Sequence, residues 1–165
     1  MDPAFWGRHT WIYLHTLTFN YPSNPTIKDK KKYYNHFNNL GDMLPCPTCA
    51  TSYKIFFKYI PIIEFLDDIH GITFWLFIIH FLVNKKLSKN NISFYDTVKI
   101  YYPNKASCPT PSSTLTNNGK CTAKPLTNLN TDEIFSEFRN IAEAKYLKRI
   151  ISHIANLIKH HPEFK

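Results

Sequence analysis

Tyr33 to Tyr59 reads YYNHFNNLGDMLPCPTCATSYKIFFKY, and two features of that stretch decide the fold. Tyr33, Phe37, Leu40 and Leu44 recur every three or four residues, which is helical spacing rather than the alternation of a strand. Pro45 and Pro47 then frame Cys46. Proline is favoured at the first position of a helix. The spacing therefore predicts that one helix ends near Leu44, that Cys46 caps the next, and that Cys49 lies in its first turn. Residues at i and i+3 share a helix face, so the two sulfurs can meet. A helix N-terminus also favours a thiolate over a thiol, and a low thiol pKa suits disulfide exchange.

A C-x-x-C pair alone has several readings: a thiol–disulfide centre, half of a zinc site, or two inert buried thiols. A zinc site would enlist Cys108 and Cys121, whose C-x12-C separation lacks the knuckle spacing of a second zinc half-site. A glutaredoxin-like domain also carries C-P-x-C, but it needs a strand running into the cysteines, where this sequence is helical. Thiol redox chemistry leads, with a zinc-binding interaction module as the alternative.

Working outward, the remaining runs are also helical. Trp6, Trp11, Leu14, Leu17 and Phe19 mark a first helix over about 5–22, ended by Tyr21-Pro22. The second covers about 27–44, and the third reaches Tyr59, where Ile60-Pro61 breaks it. A fourth spans about 72–87 and a short fifth about 93–102. Period-2 alternation is sustained nowhere. The expected fold is all-α: a four-helix bundle with a short fifth helix in residues 1–102. Residues 103–130, rich in Pro, Ser, Thr and Asn, read as a flexible linker. Beyond them, Asn130 with Glu133 is a capping signal. Ile134, Phe138, Ile141, Ile150, Ile154 and Leu157 then mark one face of a long amphipathic helix in 131–165, suited to packing on the domain or a partner.

The composition excludes other classes. Apolar residues make up 44% of the 165, enough for a core. No G-x-G-x-x-G or G-x-x-x-x-G-K-[ST] is present, so neither common nucleotide-cradling loop is available. The formal charge of +8 is mostly lysine, as in Lys28 to Lys32. With little arginine and no nucleic-acid motif it reads as a solvated surface, with no nucleic-acid partner expected. The most apolar stretch, Ile72 to Val83, is too short to span a bilayer and reads as a buried helix, so no membrane span is expected. The N-terminus lacks the pattern of a signal peptide. A reducing compartment follows by default, where a cysteine pair is more often catalytic or metal-binding than structural.

Three constellations flank the cysteines. Trp11 and His15 are i and i+4 on one helix, with Gly7 leaving room for a ligand near the backbone. Trp75, His80 and Asn84 lie in the otherwise apolar fourth run, and buried polar groups there need partners. Lys85, Lys86 and Lys89 follow and could meet a phosphate. In this order, W-G-x-x-x-W-x-x-L-H, L-P-C-x-x-C and W-x4-H-x3-N-x-K, the pattern over about residues 5–102 closely resembles the Erv/ALR family of FAD-linked sulfhydryl oxidases. The phrase from Ile92-Ser93-Phe94 to Lys99-Ile100-Tyr101 is most similar to compact members from large DNA viruses.

The resemblance implies a helical bundle that holds FAD beside the C-x-x-C and dimerises with itself. It implies a thiol oxidase that makes disulfides in protein or carrier dithiols. Electrons would pass through the Cys46–Cys49 pair to FAD and then to O2, giving hydrogen peroxide, with Cys49 nearer the flavin. Gly7, Arg8, Trp11 and His15 would contact the cofactor, and Trp75, His80 and Asn84 would close its pocket. Lys86 and Lys89 would approach its phosphate and ribose portion, and Tyr101 its adenine. No metal is expected. Location would be the host cytoplasm, a viral factory or the virion. The chain departs from the family in having Phe81 directly after His80 and in lacking a C-x16-C brace. Cys108 and Cys121 stand as candidate shuttle cysteines, in place of the family's distal pair.

Overall fold

Capping residues divide this chain into helices, and almost every start has an identifiable hydrogen bond. In the computed structural model, which describes residues 1–105 and 129–165, α1 spans Pro3–Phe19 and opens with Asp2 accepting from the Ala4 N–H at 2.8 Å. α2, Ile27–Met43, opens with a reciprocal box. Thr26 Oγ1 accepts from the Asp29 N–H at 3.2 Å, and Asp29 accepts from the Thr26 N–H at 3.0 Å. α3, Pro47–Tyr59, starts at the predicted proline. α4, Ile69–Lys86, begins three residues before its apolar run because Asp68 caps it, accepting from the Gly71 N–H at 2.9 Å. α5, Phe94–Tyr101, is capped by Ser93. Each such cap satisfies a donor that the helix itself leaves orphaned.

α4 ends in a Schellman motif. The Lys89 N–H reaches back to the Asn84 carbonyl at 2.9 Å and the Ser88 N–H to Lys85 at 3.1 Å, with Ser88 in the left-handed region at φ 52°. This turn fixes Asn84 and Lys89 relative to one another.

α1 packs on α4, α2 on α3, and α3 on α4, with α5 laid against α1 and α4. This is the expected bundle with its short fifth helix. Phe19, Phe37, Phe56, Phe65, Ile72, Trp75 and Ile79 fill the centre. Among the described residues, the buried tyrosine and tryptophan tips are paired. Tyr21 donates to the Leu66 carbonyl at 2.9 Å, Tyr53 to Phe37 at 2.7 Å, and Trp75 Nε1 to Ile60 at 2.8 Å.

The C-terminal segment joins the same core. α6, Thr131–Ile141, is capped by Asn130 accepting from the Glu133 N–H, as the sequence signal indicates. It runs through a π-helical turn, Ala142–Leu147, into α7, Lys148–His160, and a final 3-10 turn, Pro162–Phe164. The predicted single helix therefore changes pitch. Its buried residues Phe138, Ala142, Tyr146 and Ile150 recur every four positions. On a regular helix each such step drifts by about 40°. The wider π turn takes up that drift and keeps the stripe on the bundle.

The π turn delivers Lys145 and Tyr146 to Asp68. Lys145 Nζ lies 2.9 Å and the Tyr146 hydroxyl 3.0 Å from Oδ2, while Oδ1 takes the Gly71 N–H and lies 3.4 Å from His70 Nδ1. Gly71 permits this approach. A Cβ there would stand 2.5 Å from the Phe65 carbonyl oxygen and 2.7 Å from the Tyr146 ring. Burial alone would push the Asp68 carboxyl up. The hydrogen bonds from His70, Lys145, Gly71 and Tyr146 outweigh it and hold the group well below the usual carboxylate range. Cys108 and Cys121, with most of the predicted linker, lie outside the described residues.

Candidate functional site

Cys46 is the cap of α3 and Cys49 sits in its first turn. The two are joined by a disulfide, with their Cα atoms 5.2 Å apart. The Cys49 N–H points at Cys46 Sγ at 3.3 Å, so the helix start places a backbone donor on the outer sulfur. The N-terminus of α3 adds its positive end to both.

Cys49 lines a cavity of about 610 Å³, while Cys46, half-buried, does not. The cavity lies between the start of α1, the end of α2, the first turns of α3 and the end of α4, with Tyr101 of α5 closing one side. Its size is that of a small-molecule site. Gly7, Arg8, Trp11, His80, Asn84, Lys86, Lys89 and Tyr101 all line it.

Lys85 does not line the cavity, and neither do two of the residues that the resemblance assigns to the cofactor. His15 is completely buried behind the wall, with its Nε2 3.0 Å from His80 Nδ1. Trp75 is completely buried and does not line the cavity. Its indole N–H is spent on the Ile60 carbonyl, and it packs edge-on to Phe37. Its i+5 relation to His80 turns it to another side of α4, so the structure places it in the core rather than against a ligand.

The histidine pair sits in an aromatic stack. Trp11 lies parallel to His80 at 3.9 Å and 7°, and Tyr101 lies against His15 at 4.8 Å. Desolvation, then the neighbouring His80, lowers the His15 pKa to about 3. Desolvation, then Lys89, lowers that of His80 to about 4. Both rings are neutral at pH 7. His15 Nδ1 is buried without a partner. A bare lone pair there costs less than a stranded N–H. With His15 donating from Nε2, His80 accepts on Nδ1 and carries its proton on Nε2.

The cavity has no carboxylate in its lining. Arg8, Lys86 and Lys89 line it, and none of them is in an ion pair among the described residues. A Cβ built on Gly7 meets no atom within 4 Å, so at that point the backbone itself faces open space. Flat aromatic walls, an imidazole N–H, three unpaired cations and a disulfide at the wall fit a flat, redox-active, anionic ligand. A flavin nucleotide has that chemistry.

Residues that the sequence did not single out complete the wall. Leu40 and Leu44 come from α2, and Ser52 and Tyr53 stand three and four positions beyond Cys49 on the same face. That i+3, i+4 relation was the available signal for Ser52 and Tyr53. Ser52 donates to the Thr48 carbonyl at 2.9 Å and accepts from Lys86 Nζ.

Comparisons with known proteins cover this same region. Residues 8–103 match the model of the Erv1/Alr family. A probable FAD-linked sulfhydryl oxidase of Acanthamoeba polyphaga mimivirus is 31% identical over 100 residues, covering 60% of this chain and 70% of that protein. An FAD-linked sulfhydryl oxidase of Arabidopsis thaliana is 35% identical over 83 residues, 50% of this chain and 42% of that one. An African swine fever virus FAD-linked sulfhydryl oxidase is 28% identical over 96 residues, 58% of this chain and 79% of its own. The crystal structure of the yeast Erv1 core superposes with a TM-score of 0.57 at 25% identity, covering 61% of this chain and 84% of that one. With its family match spanning more than half its length and its helices arranged like that core, the chain belongs to the Erv1/Alr family.

Proposed function

We propose that this protein is an FAD-dependent thiol oxidase that forms disulfides in protein or carrier dithiols. The observation that carries this reading is the Cys46–Cys49 disulfide with only Cys49 on the wall of the cationic, aromatic cavity. Cys46, outside the cavity, is the sulfur a substrate reaches. A substrate thiolate attacks Cys46 Sγ and breaks the Cys46–Cys49 bond, and Cys49 leaves as a thiolate at the positive end of α3. The second substrate thiol attacks the substrate sulfur of the mixed disulfide and releases Cys46, leaving an oxidised substrate and a reduced Cys46/Cys49 pair. The protons of the two substrate thiols pass to solvent or to the released cysteines.

A flavin bound in the cavity supplies a two-electron relay from that dithiol to oxygen, with hydrogen peroxide as the product. Trp11 and Tyr101 would flank it, His80 would donate from Nε2, and Arg8, Lys86 and Lys89 would offset its phosphates. His15 orients His80 from behind. The apolar remainder of the wall excludes water from the reacting sulfur.

The viral relatives support action in the host cytoplasm, a viral factory or the virion. Exposed Ile12 and Tyr13 on α1, beside the buried and unpartnered Nε2 of His36, support a homodimer through α1 and α2. Light scattering at a monomer mass would remove that part. The zinc-module alternative gains nothing from the relatives.

Oxygen uptake with a small dithiol tests the reaction. Cys49→Ser should keep its flavin and consume no oxygen. Normal uptake by that variant would contradict the assignment.

A further inference from the structure

We infer that the C-terminal turn is a positioning element of the cofactor site, acting through Phe164 on Lys86; this rests on the reading that the cavity holds a flavin nucleotide. Phe164 lies well outside residues 8–103, where the family match ends. It is nonetheless buried, packed on Phe56 of α3 with ring centroids 4.7 Å apart. Lys86 Nζ stands 5.6 Å from the centroid of its ring, within cation–π range. On its other side that ammonium donates to Ser52 Oγ, and Ser52 in turn donates to the carbonyl of Thr48, between the two cysteines.

A lysine is a hydrated point charge on a flexible stem with many rotamers. Lys86 is on the solvent-facing end of α4, and without constraint its ammonium would sample water. Here it is held between a hydroxyl of the active-site helix and an aromatic face from the far end of the chain. Lys86 and Ser52 both line the cavity and Phe164 does not. The turn thus fixes a cation in the cavity wall without touching the ligand.

Phe164 is itself held in place. The Pro162–Phe164 turn closes with Phe164 N–H on the His161 carbonyl at 3.1 Å, and His161 packs edge-on to Tyr59. α7 packs on α3, and the preceding π turn is clasped to Asp68. Ring placement is therefore set by the whole C-terminal arm.

The test uses the full chain, stripped of flavin and titrated with FAD and, separately, with riboflavin, which lacks the phosphates. Phe164→Leu keeps the apolar packing on Phe56 and removes the aromatic face. Phe164→Tyr keeps the face and serves as the rescue. Circular dichroism and urea unfolding confirm that each variant is folded. Phe164→Leu should bind FAD about three- to tenfold more weakly, bind riboflavin as wild type does, and be restored by Phe164→Tyr. In a Lys86→Met background Phe164→Leu should change nothing further. Unchanged FAD affinity, an equal loss for riboflavin, or the same loss in the Lys86→Met background would overturn the inference. A wild-type chain that binds neither flavin would overturn the functional reading itself, and this inference with it.

Discussion

Two buried polar clusters among the described residues are finished differently. At Asp68 the carboxylate meets the Gly71 N–H, His70, Lys145 and Tyr146, and it binds the C-terminal arm to the start of α4. At His15 and His80 the rings have one hydrogen bond between them, and His15 Nδ1 has none. A buried polar group left unpaired lowers stability. The satisfied cluster holds the fold together. The unsatisfied one sits against a cavity, as expected where a ligand completes the set.

The largest effect should come from breaking the satisfied cluster. Asp68→Ala removes a helix cap and strands the Gly71 N–H and the Tyr146 hydroxyl. It should cost about 3 kcal/mol in urea unfolding. A loss below about 1 kcal/mol would mean that the arm is not anchored there.

Acid should strike the histidine pair next. Both rings have folded pKa values, about 3 and about 4, below the ordinary 6.5. As pH falls below 6.5 the unfolded chain takes up protons that the folded chain refuses. Stability present above pH 6.5 is therefore lost progressively as the pH falls from 6.5 towards 4. A flat urea midpoint over that range would contradict the neutral, buried pair. The Asp68 carboxyl, also lowered, contributes only below about pH 4, so the two windows separate.

The smallest stability effect should come from His15→Leu. The orphaned Nδ1 is removed while His80 Nδ1 loses its donor, two changes that offset, so the flavin-free protein should change by less than about 1 kcal/mol, while flavin affinity falls because His80 loses the ring that orients it. A variant that loses several kcal/mol without ligand would place His15 with the structural group instead.

The comparison also shows what the sequence could carry. Some helix boundaries were legible from local signals: Pro47 after Cys46 and Asn130 before Glu133 at starts, and Ile60-Pro61 at the end of α3, whereas the Asp68 cap that starts α4 was not read. Histidines, lysines and aromatics were legible as a set because their spacings form a motif. Which of them face the ligand was not, since i and i+4 spacing gives a shared face without saying what that face meets. Trp75 went to the core and His15 to the layer behind the wall for that reason. The clasp at Asp68 joins positions 77 and 78 residues apart, and no local pattern reports such a contact. The four-residue recurrence of Phe138, Ala142, Tyr146 and Ile150 was the visible trace of the π turn, longer than the 3.6 of a regular helix.

A flavin in the cavity beside Cys49 would complete the histidine pair. Titrating the flavin-free chain with FAD while following thermal unfolding measures this directly. Binding should be saturable, and the unfolding midpoint should climb with FAD, by about 4 kcal/mol of added stability at a thousandfold excess over Kd. The acid sensitivity between pH 6.5 and 4 should also change once the cavity is filled. A midpoint that ignores FAD at every concentration would contradict it.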